Sequence, residues 1–234
     1  MSRARHRADP TLNVPHPTRR AIAGTLTLPP TLGDRRVRKV GLLGGSFNPA
    51  HRGHRHISLL ALKHLELDEI WWLVSPQNPL KPVEGMAPLD ERLAQAAQVA
   101  QHSHIRVTDI EAALGSRYTA DTLASLKKRF PATRFVWLMG ADNLRQIDRW
   151  ERWTRIFELV PIAVFARPAY SLAALGSLAA RRFARYRMFP GAARRLASAP
   201  PPAWVFFATR LDPLSATAIR VRRRRSVFAP RARH

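Results

Sequence analysis

The stretch most able to do chemistry joins two glycines to two histidines within residues 44–54. Gly44 and Gly45 follow an apolar run, where glycines let the backbone approach a ligand closely and expose N–H donors. His51 and His54 are three residues apart, so both imidazoles lie on one face of a helix start, where an anion is favoured. The pattern predicts a phosphate-binding turn. It is not a P-loop, because the Gly-Lys-Ser/Thr ending is absent.

The same histidines admit two other interpretations. Together with His56 they could form a metal cluster, but no carboxylate or cysteine lies nearby in the sequence to complete it. They could also be ordinary surface histidines of a helix. Their position just after two glycines and an apolar strand favours phosphate binding.

A second candidate motif lies far downstream, over residues 214–220. Ser215 and Thr217 can cap a helix while offering donors to phosphate oxygens, and the Arg220 guanidinium can bind the same group with two parallel hydrogen bonds. The alternative is an ordinary helix cap followed by a surface arginine.

The elements that must position these motifs alternate along the chain. Apolar, β-rich runs predict strands over residues 39–43, 69–74, 105–110, 134–139, 162–166 and 204–208. Helical patterns cover residues 51–64, 88–101 and 119–129, the last with Thr119 as its N-cap. Buried strands separated by helices predict an α/β fold, a doubly wound and mainly parallel sheet with helices on both faces. Such sheets bind ligands at the carboxyl ends of their strands, and residues 44–54, 75–81 and 140–143 each follow a strand directly.

Charge divides the chain into three parts. We predict a flexible basic extension over residues 1–36, one catalytic domain over 37–220 and an Arg-rich tail over 221–234. Residues 40–166 contain fifteen Lys or Arg and thirteen Asp or Glu, whereas residues 167–234 contain fifteen and one. Basic ends favour anionic partners, although arginine used only for solubility would give the same pattern.

Several classes are excluded or disfavoured by composition. The chain has no cysteine, which excludes disulfides and thiolate metal sites. No apolar run approaches the ~20 residues that span a bilayer, and no signal-peptide core follows the basic N-terminus. We therefore expect a cytoplasmic protein with no membrane partner.

Residues 44–54 resemble the Gly-x-Phe-x-Pro-x-His-x-Gly-His signature of the HxGH nucleotidyltransferase superfamily. Residues 214–220 resemble its Ile-Ser-Ser-Thr-x-Ile-Arg motif, with Leu214 and Ala216 in place of Ile and Ser. The resemblance implies a Rossmann-like fold and attack on the α-phosphate of a nucleoside triphosphate, with release of pyrophosphate and no covalent intermediate. It also implies that the catalytic residues are His51, His54 and Arg220.

Three further segments, 75–81, 115–123 and 139–144, resemble the bacterial nicotinate-nucleotide adenylyltransferase branch of that superfamily. The resemblance implies that ATP and nicotinate mononucleotide are the substrates and that Mg²⁺ is carried by the triphosphate, with no metal held by the protein. It assigns ATP and phosphate binding to Gly45, Ser46, Phe47, Lys81, Gly140, Asp142, Ser215 and Thr217. It assigns nicotinate mononucleotide binding to Asn78, Tyr118, Thr119 and Arg167. Trp150 also matches this branch, but its match is the weakest and a core position is the alternative, so we leave it out of the predicted site.

Two alternatives stay open at this stage. An adenylyltransferase of the same superfamily could use another acceptor, nicotinamide mononucleotide or phosphopantetheine, although the segment 115–123 argues against the latter. A nucleic-acid-binding protein could use the Arg-rich ends, but the near-neutral middle lacks basic runs with interleaved aromatics. We do not expect nucleic acid as the main partner, and the sequence predicts no particular oligomer.

Overall fold

The computed structural model describes residues 37–76, 85–166 and 171–208, and the predicted extension and tail lie outside these ranges. The strands within them are β1 (Arg38–Gly45), β2 (Glu69–Val74), β3 (Ile105–Thr108), β4 (Thr133–Gly140), β5 (Ile162–Phe165), β6 (Arg187–Met188) and β7 (Trp204–Phe207). The α-helices are α1 (Arg52–Leu65), α2 (Leu89–Ala100), α3 (Ile110–Ala113), α4 (Thr119–Arg129), α5 (Ala141–Gln146), α6 (Trp153–Leu159), α7 (Ser171–Leu175) and α8 (Leu178–Arg182). Short 3₁₀ helices cover Ile147–Arg149, Ala184–Tyr186 and Pro190–Ser198.

The strands form one sheet in the order β3-β2-β1-β4-β5-β7-β6, and each neighbouring pair among them is parallel. From β1 the chain winds outward through β2 and β3, and it then returns to the other side of β1 with β4 and β5. The winding therefore reverses between β1 and β4, which opens a crevice at the carboxyl ends of these two strands. The predicted doubly wound, Rossmann-like α/β fold is confirmed.

Helices cover both faces of the sheet because most strands are apolar on both sides. On one face, Ile57, Ala61 and Leu65 recur at four-residue spacing along α1 and pack with α2 and the 3₁₀ helix Pro190–Ser198. On the other face, α4, α5, α6 and α8 bury residues such as Leu123 against the same strands. Two apolar layers thus hold the central strands rigid, and the loops at their carboxyl ends start from fixed points.

Three local predictions differ from the structure. Strand β3 ends at Thr108 rather than residue 110, because the Thr108 hydroxyl accepts a hydrogen bond from the Ile110 N–H at 3.1 Å and begins α3. The N-cap of α4 is Tyr118, and Thr119 is the first helical residue. The two-residue strand β6 was absent from the predicted set, because an edge strand this short shows no alternation of apolar and polar residues.

Within the described ranges, none of the helices combines the length and the apolar character needed to cross a membrane.

Candidate active site

The glycine turn lies where the winding of the sheet reverses, at the end of β1. A side chain at Gly44 would place its Cβ 2.4 Å from the Trp137 ring on β4, so the indole can cover β1 only if residue 44 is glycine. At Gly45 the nearest atom to such a Cβ would be 3.6 Å away, in the Phe47 ring. The Gly45 carbonyl accepts a hydrogen bond from the Ser75 N–H at 2.9 Å, which joins the loops after β1 and β2.

The two histidines are held in one arrangement by a reciprocal cap at the start of α1. The Gly53 N–H donates to His51 Nδ1 at 3.1 Å, and the His51 N–H donates to His54 Nδ1 at 3.2 Å. An Nδ1 that accepts from a backbone N–H carries no proton itself, so both rings are neutral and carry their proton on Nε2. The ring centroids are 3.8 Å apart. The pair can therefore present two adjacent N–H donors to phosphate oxygens.

Phe47 contributes to the site by supporting His54. Its backbone has φ 45°, in the left-handed region that a bulky residue rarely adopts. The ring is buried, stacks on Trp72 with centroids 5.1 Å apart, and lies 4.7 Å from the His54 ring. A contact between Phe47 and phosphate, as the resemblance implies, would therefore come from its backbone.

A buried arginine that the sequence analysis did not identify binds the backbone of the glycine turn. Arg92 on α2 is only 2% exposed, and its guanidinium donates to four backbone carbonyls in the absence of any carboxylate partner among the described residues. These are the carbonyls of Ala87 at 2.9 Å, Ser46 at 2.8 Å, Ser75 at 2.7 Å and Pro76 at 3.0 Å. Burial lowers the pKa of Arg92 from its ordinary value. An arginine in an otherwise ordinary helix pattern gives no sequence signal for this role.

A cleft of about 330 Å³ adjoins the glycine turn. Its wall includes Tyr118 and Thr119 at the start of α4, both predicted to bind the acceptor. It also includes Trp150, which is absent from the predicted site and is half-buried against the core. Arg117 and Arg149 line the cleft as well, and neither pairs with a carboxylate among the described residues. Aromatic surface and free cations together suit a flat, anionic ligand.

The segment after β4 forms the opposite side of the crevice. Gly140 is the N-cap of α5 with extended backbone, and no side chain caps this helix. Asp142 is half-buried in the first turn, and Asn143 reaches the wall of the cleft. Both predicted residues, Gly140 and Asp142, thus lie at the end of the strand that flanks β1.

A buried acid, Glu111, is a second residue that sequence reasoning missed. It lies in α3, is 8% exposed and lines the same cleft. Burial raises its pKa to about 7, although hydrogen bonds with the side chains of Ser75 and Thr122 oppose that change. Like the other site residues, Glu111 follows the end of a strand. Its position after β3 could therefore have identified it from the sequence.

Six predicted site residues lie outside the described ranges: Asn78, Lys81, Arg167, Ser215, Thr217 and Arg220. The convergence of Arg220 with the two imidazoles therefore stays a prediction. The metal-cluster interpretation gains no support, since the described ranges hold no group of three or more His, Asp or Glu arranged to bind an ion.

The chain is similar to known proteins over most of its length. The family model described as cytidylyltransferase-like matches residues 42–222. A "probable nicotinate-nucleotide adenylyltransferase" of Cereibacter sphaeroides is 58% identical over 181 residues, which cover 77% of this chain and 96% of that protein. A protein of the same name from Methylorubrum extorquens is 52% identical over 184 residues, covering 79% and 100%.

One solved structure shows the same fold at low sequence identity. It is Plasmodium falciparum nicotinic acid mononucleotide adenylyltransferase complexed with NaAD, which aligns with a TM-score of 0.59 at 16% identity and covers 79% of this chain and 83% of its own. Taken with the histidine pair and the cleft at the switch point, these similarities show that the chain belongs to the cytidylyltransferase-like family, within the group of the nicotinate-nucleotide adenylyltransferases.

Proposed function

We propose that this protein transfers the adenylyl group of ATP to nicotinate mononucleotide, giving nicotinate adenine dinucleotide and pyrophosphate, a step in NAD synthesis. The observation that carries the proposal is the juxtaposition at the switch point of the sheet. Two neutral imidazoles with Nε2–H donors lie at the end of β1, beside a cleft lined by aromatic rings and by arginines that pair with no carboxylate among the described residues. The names of the closely similar proteins agree with this reading.

The reaction needs positioning and charge stabilisation more than acid–base chemistry. A 5′-phosphate oxygen of the acceptor attacks the α-phosphorus of ATP, the bond from that phosphorus to the bridging oxygen breaks, and pyrophosphate leaves. No side-chain base is needed, since a phosphate monoester is already anionic near pH 7. His51 and His54 donate from Nε2 to the phosphates, where charge builds up in the transition state, and the backbone of Gly45 and Ser46 adds donors.

We propose that ATP enters as its Mg²⁺ complex, so the ion is part of the substrate. Lys81, Ser215, Thr217 and Arg220 would contact the phosphates as the family motifs imply. The backbone of Gly140 and the carboxylate of Asp142 would bind the ribose or adenine side of ATP, from the β4 side of the crevice. The triphosphate then spans the carboxyl ends of β1 and β4.

The cleft explains a preference for a pyridine acceptor. Tyr118 and Trp150 offer aromatic surface against which the pyridine ring can stack. The first N–H groups of α4, at Thr119, are available to a carboxylate because the helix start leaves them without intrahelical partners. Arg117 and Arg149 add positive charge on the same wall. Asn78 and Arg167 complete the acceptor set that the resemblance implies.

The deciding experiment measures pyrophosphate release by the full-length protein with ATP, Mg²⁺ and a panel of acceptors. The panel holds nicotinate mononucleotide, nicotinamide mononucleotide and phosphopantetheine, and mass spectrometry identifies each product. We expect the highest kcat/KM with nicotinate mononucleotide. Equal values with both mononucleotides would refute the preference for the carboxylate, and turnover of phosphopantetheine alone would refute the proposed acceptor class.

We also propose a cytoplasmic location, because a protein without cysteine gains no disulfide from an oxidising compartment. Fractionation of cells that express the tagged protein tests this directly. Recovery in the membrane or secreted fraction would contradict it.

A further inference from the structure

Glu111 is a buried acid in the acceptor cleft without a basic partner among the described residues. Its carboxyl accepts a hydrogen bond from the Thr122 hydroxyl at 3.4 Å and is hydrogen-bonded to the side chain of Ser75. Neither partner carries charge, so an ionised Glu111 would be stabilised by hydroxyl groups alone. Burying a carboxylate under such conditions is costly, and the neutral form is favoured.

The same residue is tied to the helix start that faces the acceptor. The Glu111 carbonyl accepts from the Ser116 N–H at 3.1 Å, and the Ser116 and Thr122 hydroxyls are 2.9 Å apart. The Thr122 hydroxyl also lies 3.3 Å from the Tyr118 carbonyl oxygen, and its single proton serves either that oxygen or the Glu111 carboxyl. Glu111 is thus fixed beside the first turn of α4, which we propose receives the pyridine carboxylate.

The charged and titratable groups around Glu111 come from two other elements. Among the described residues, those that line the cleft with Glu111 are Arg117 and Tyr118 at the start of α4, and Arg149 and Glu151 in the segment after α5. Ser75, at the end of β2, contributes no charge. The three charged side chains are exposed, so water screens their effect on the buried carboxyl.

We propose that Glu111 is a specificity-determining residue of the acceptor cleft, which accepts a pyridine carboxylate only while Glu111 is neutral. This inference rests on the proposed function and goes beyond it. A neutral Glu111 can donate its O–H or remain without charge beside the carboxylate, whereas an ionised Glu111 would repel that group at short range. An acceptor with a carboxamide meets no such repulsion, and an ionised Glu111 can accept from its NH₂ group.

The consequence is a preference that changes with pH. With the pKa of Glu111 at about 7, the neutral fraction falls about tenfold between pH 6 and pH 8. Apparent affinity for the carboxylate acceptor falls with that fraction. The ratio of kcat/KM for nicotinate mononucleotide to kcat/KM for nicotinamide mononucleotide should therefore decrease about tenfold over this range.

The test measures that ratio from pH 6 to pH 8.5 with the full-length protein and saturating Mg²⁺ and ATP. Both acceptors carry the same ribose 5′-phosphate, so ionisation of the phosphate, of ATP or of the two histidines cancels in the ratio. We expect the decrease in the wild type and a flat ratio in Glu111→Gln. Glu151→Gln removes an exposed acid from the same cleft and should retain the wild-type slope. If Glu111 only stabilised the fold, Glu111→Gln would lower kcat/KM for both acceptors together, and their ratio would still change with pH as in the wild type.

A second measurement keeps the inference testable if Glu111→Gln does not fold. Titration calorimetry of the wild type at pH 7, in two buffers of different ionisation enthalpy, should show uptake of about half a proton with nicotinate mononucleotide, since about half of Glu111 is ionised before binding. With nicotinamide mononucleotide it should show only the proton exchange of the groups common to both acceptors. A flat wild-type ratio, a slope that persists in Glu111→Gln, or equal proton uptake with both acceptors would overturn the role of Glu111 alone. If neither acceptor is turned over, the proposed function is refuted, and this inference is refuted with it.

Discussion

Replacing Arg92 by methionine should destabilise the protein by about 3 kcal/mol. Methionine fills much of the same buried volume but removes every donor to the four carbonyls. The carbonyls of Ala87 and Pro76 belong to partly exposed residues and can be hydrated after the change. Ser75 is likewise partly exposed, whereas Ser46 is buried, and a buried carbonyl without a partner costs ~1–3 kcal/mol, to which the three weakened hydrogen bonds add. For a chain of this size the melting temperature should fall by roughly 6–12 °C.

Urea unfolding followed by tryptophan fluorescence, with thermal melts beside it, measures this loss. Arg92→Lys keeps the charge but cannot reach all four carbonyls, so we expect about half the loss. Arg155→Met is the matched control, because its ion pair with Glu158 is exposed and should be worth less than ~1 kcal/mol. An Arg92→Met variant no less stable than Arg155→Met would refute the reasoning.

The same Arg92→Met variant should bind ATP less tightly. The guanidinium joins the loops after β1 and β2, so its loss frees the backbone donors that we propose for the phosphates. We expect a larger rise in KM for ATP than for the acceptor, whose cleft has its own support from α4. Equal changes in both KM values would point to a general loss of structure.

Three further predictions concern other parts of the site. Glu111→Gln should stabilise the protein by about 3 kcal/mol at pH 8. The pKa of Glu111 is about 7 in the folded protein and 4.5 in the unfolded chain, so the wild type loses stability as pH rises between those values. Urea unfolding should show that the gain disappears below about pH 4.5. His54→Ala should lower kcat roughly 10²-fold, the size expected when one transition-state donor is lost, and a loss below threefold in steady-state assays would count against its role. Gly44→Ala should cost about 1–3 kcal/mol through its clash with Trp137, whereas Gly45→Ala has room and should unfold at nearly the wild-type urea concentration.

The sequence was sufficient to predict the fold, and it placed the candidate site at the ends of particular strands. Apolar runs long enough to be strands, each followed by a helix, admit few arrangements besides a parallel sheet with helices on both faces. Polar motifs placed directly after strands then had to meet at one edge of that sheet. The spacing of His51 and His54 predicted adjacent rings, and the structure brings the rings together with His51 as the N-cap of α1 and His54 as the third helical residue. Local spacing carries this information without knowledge of distant contacts.

Tertiary structure alone decided which residues support the site. In the sequence, nothing distinguishes Arg92 from a surface arginine. Its guanidinium is buried among carbonyls only because α2 packs against the loops after β1 and β2. The raised pKa of Glu111 likewise depends on burial between Ser75 and Thr122, which are distant from each other in the chain. Trp150 could be interpreted as core or cleft until the fold placed it. Burial and desolvation arise from contacts between elements far apart in sequence, so no local pattern encodes them.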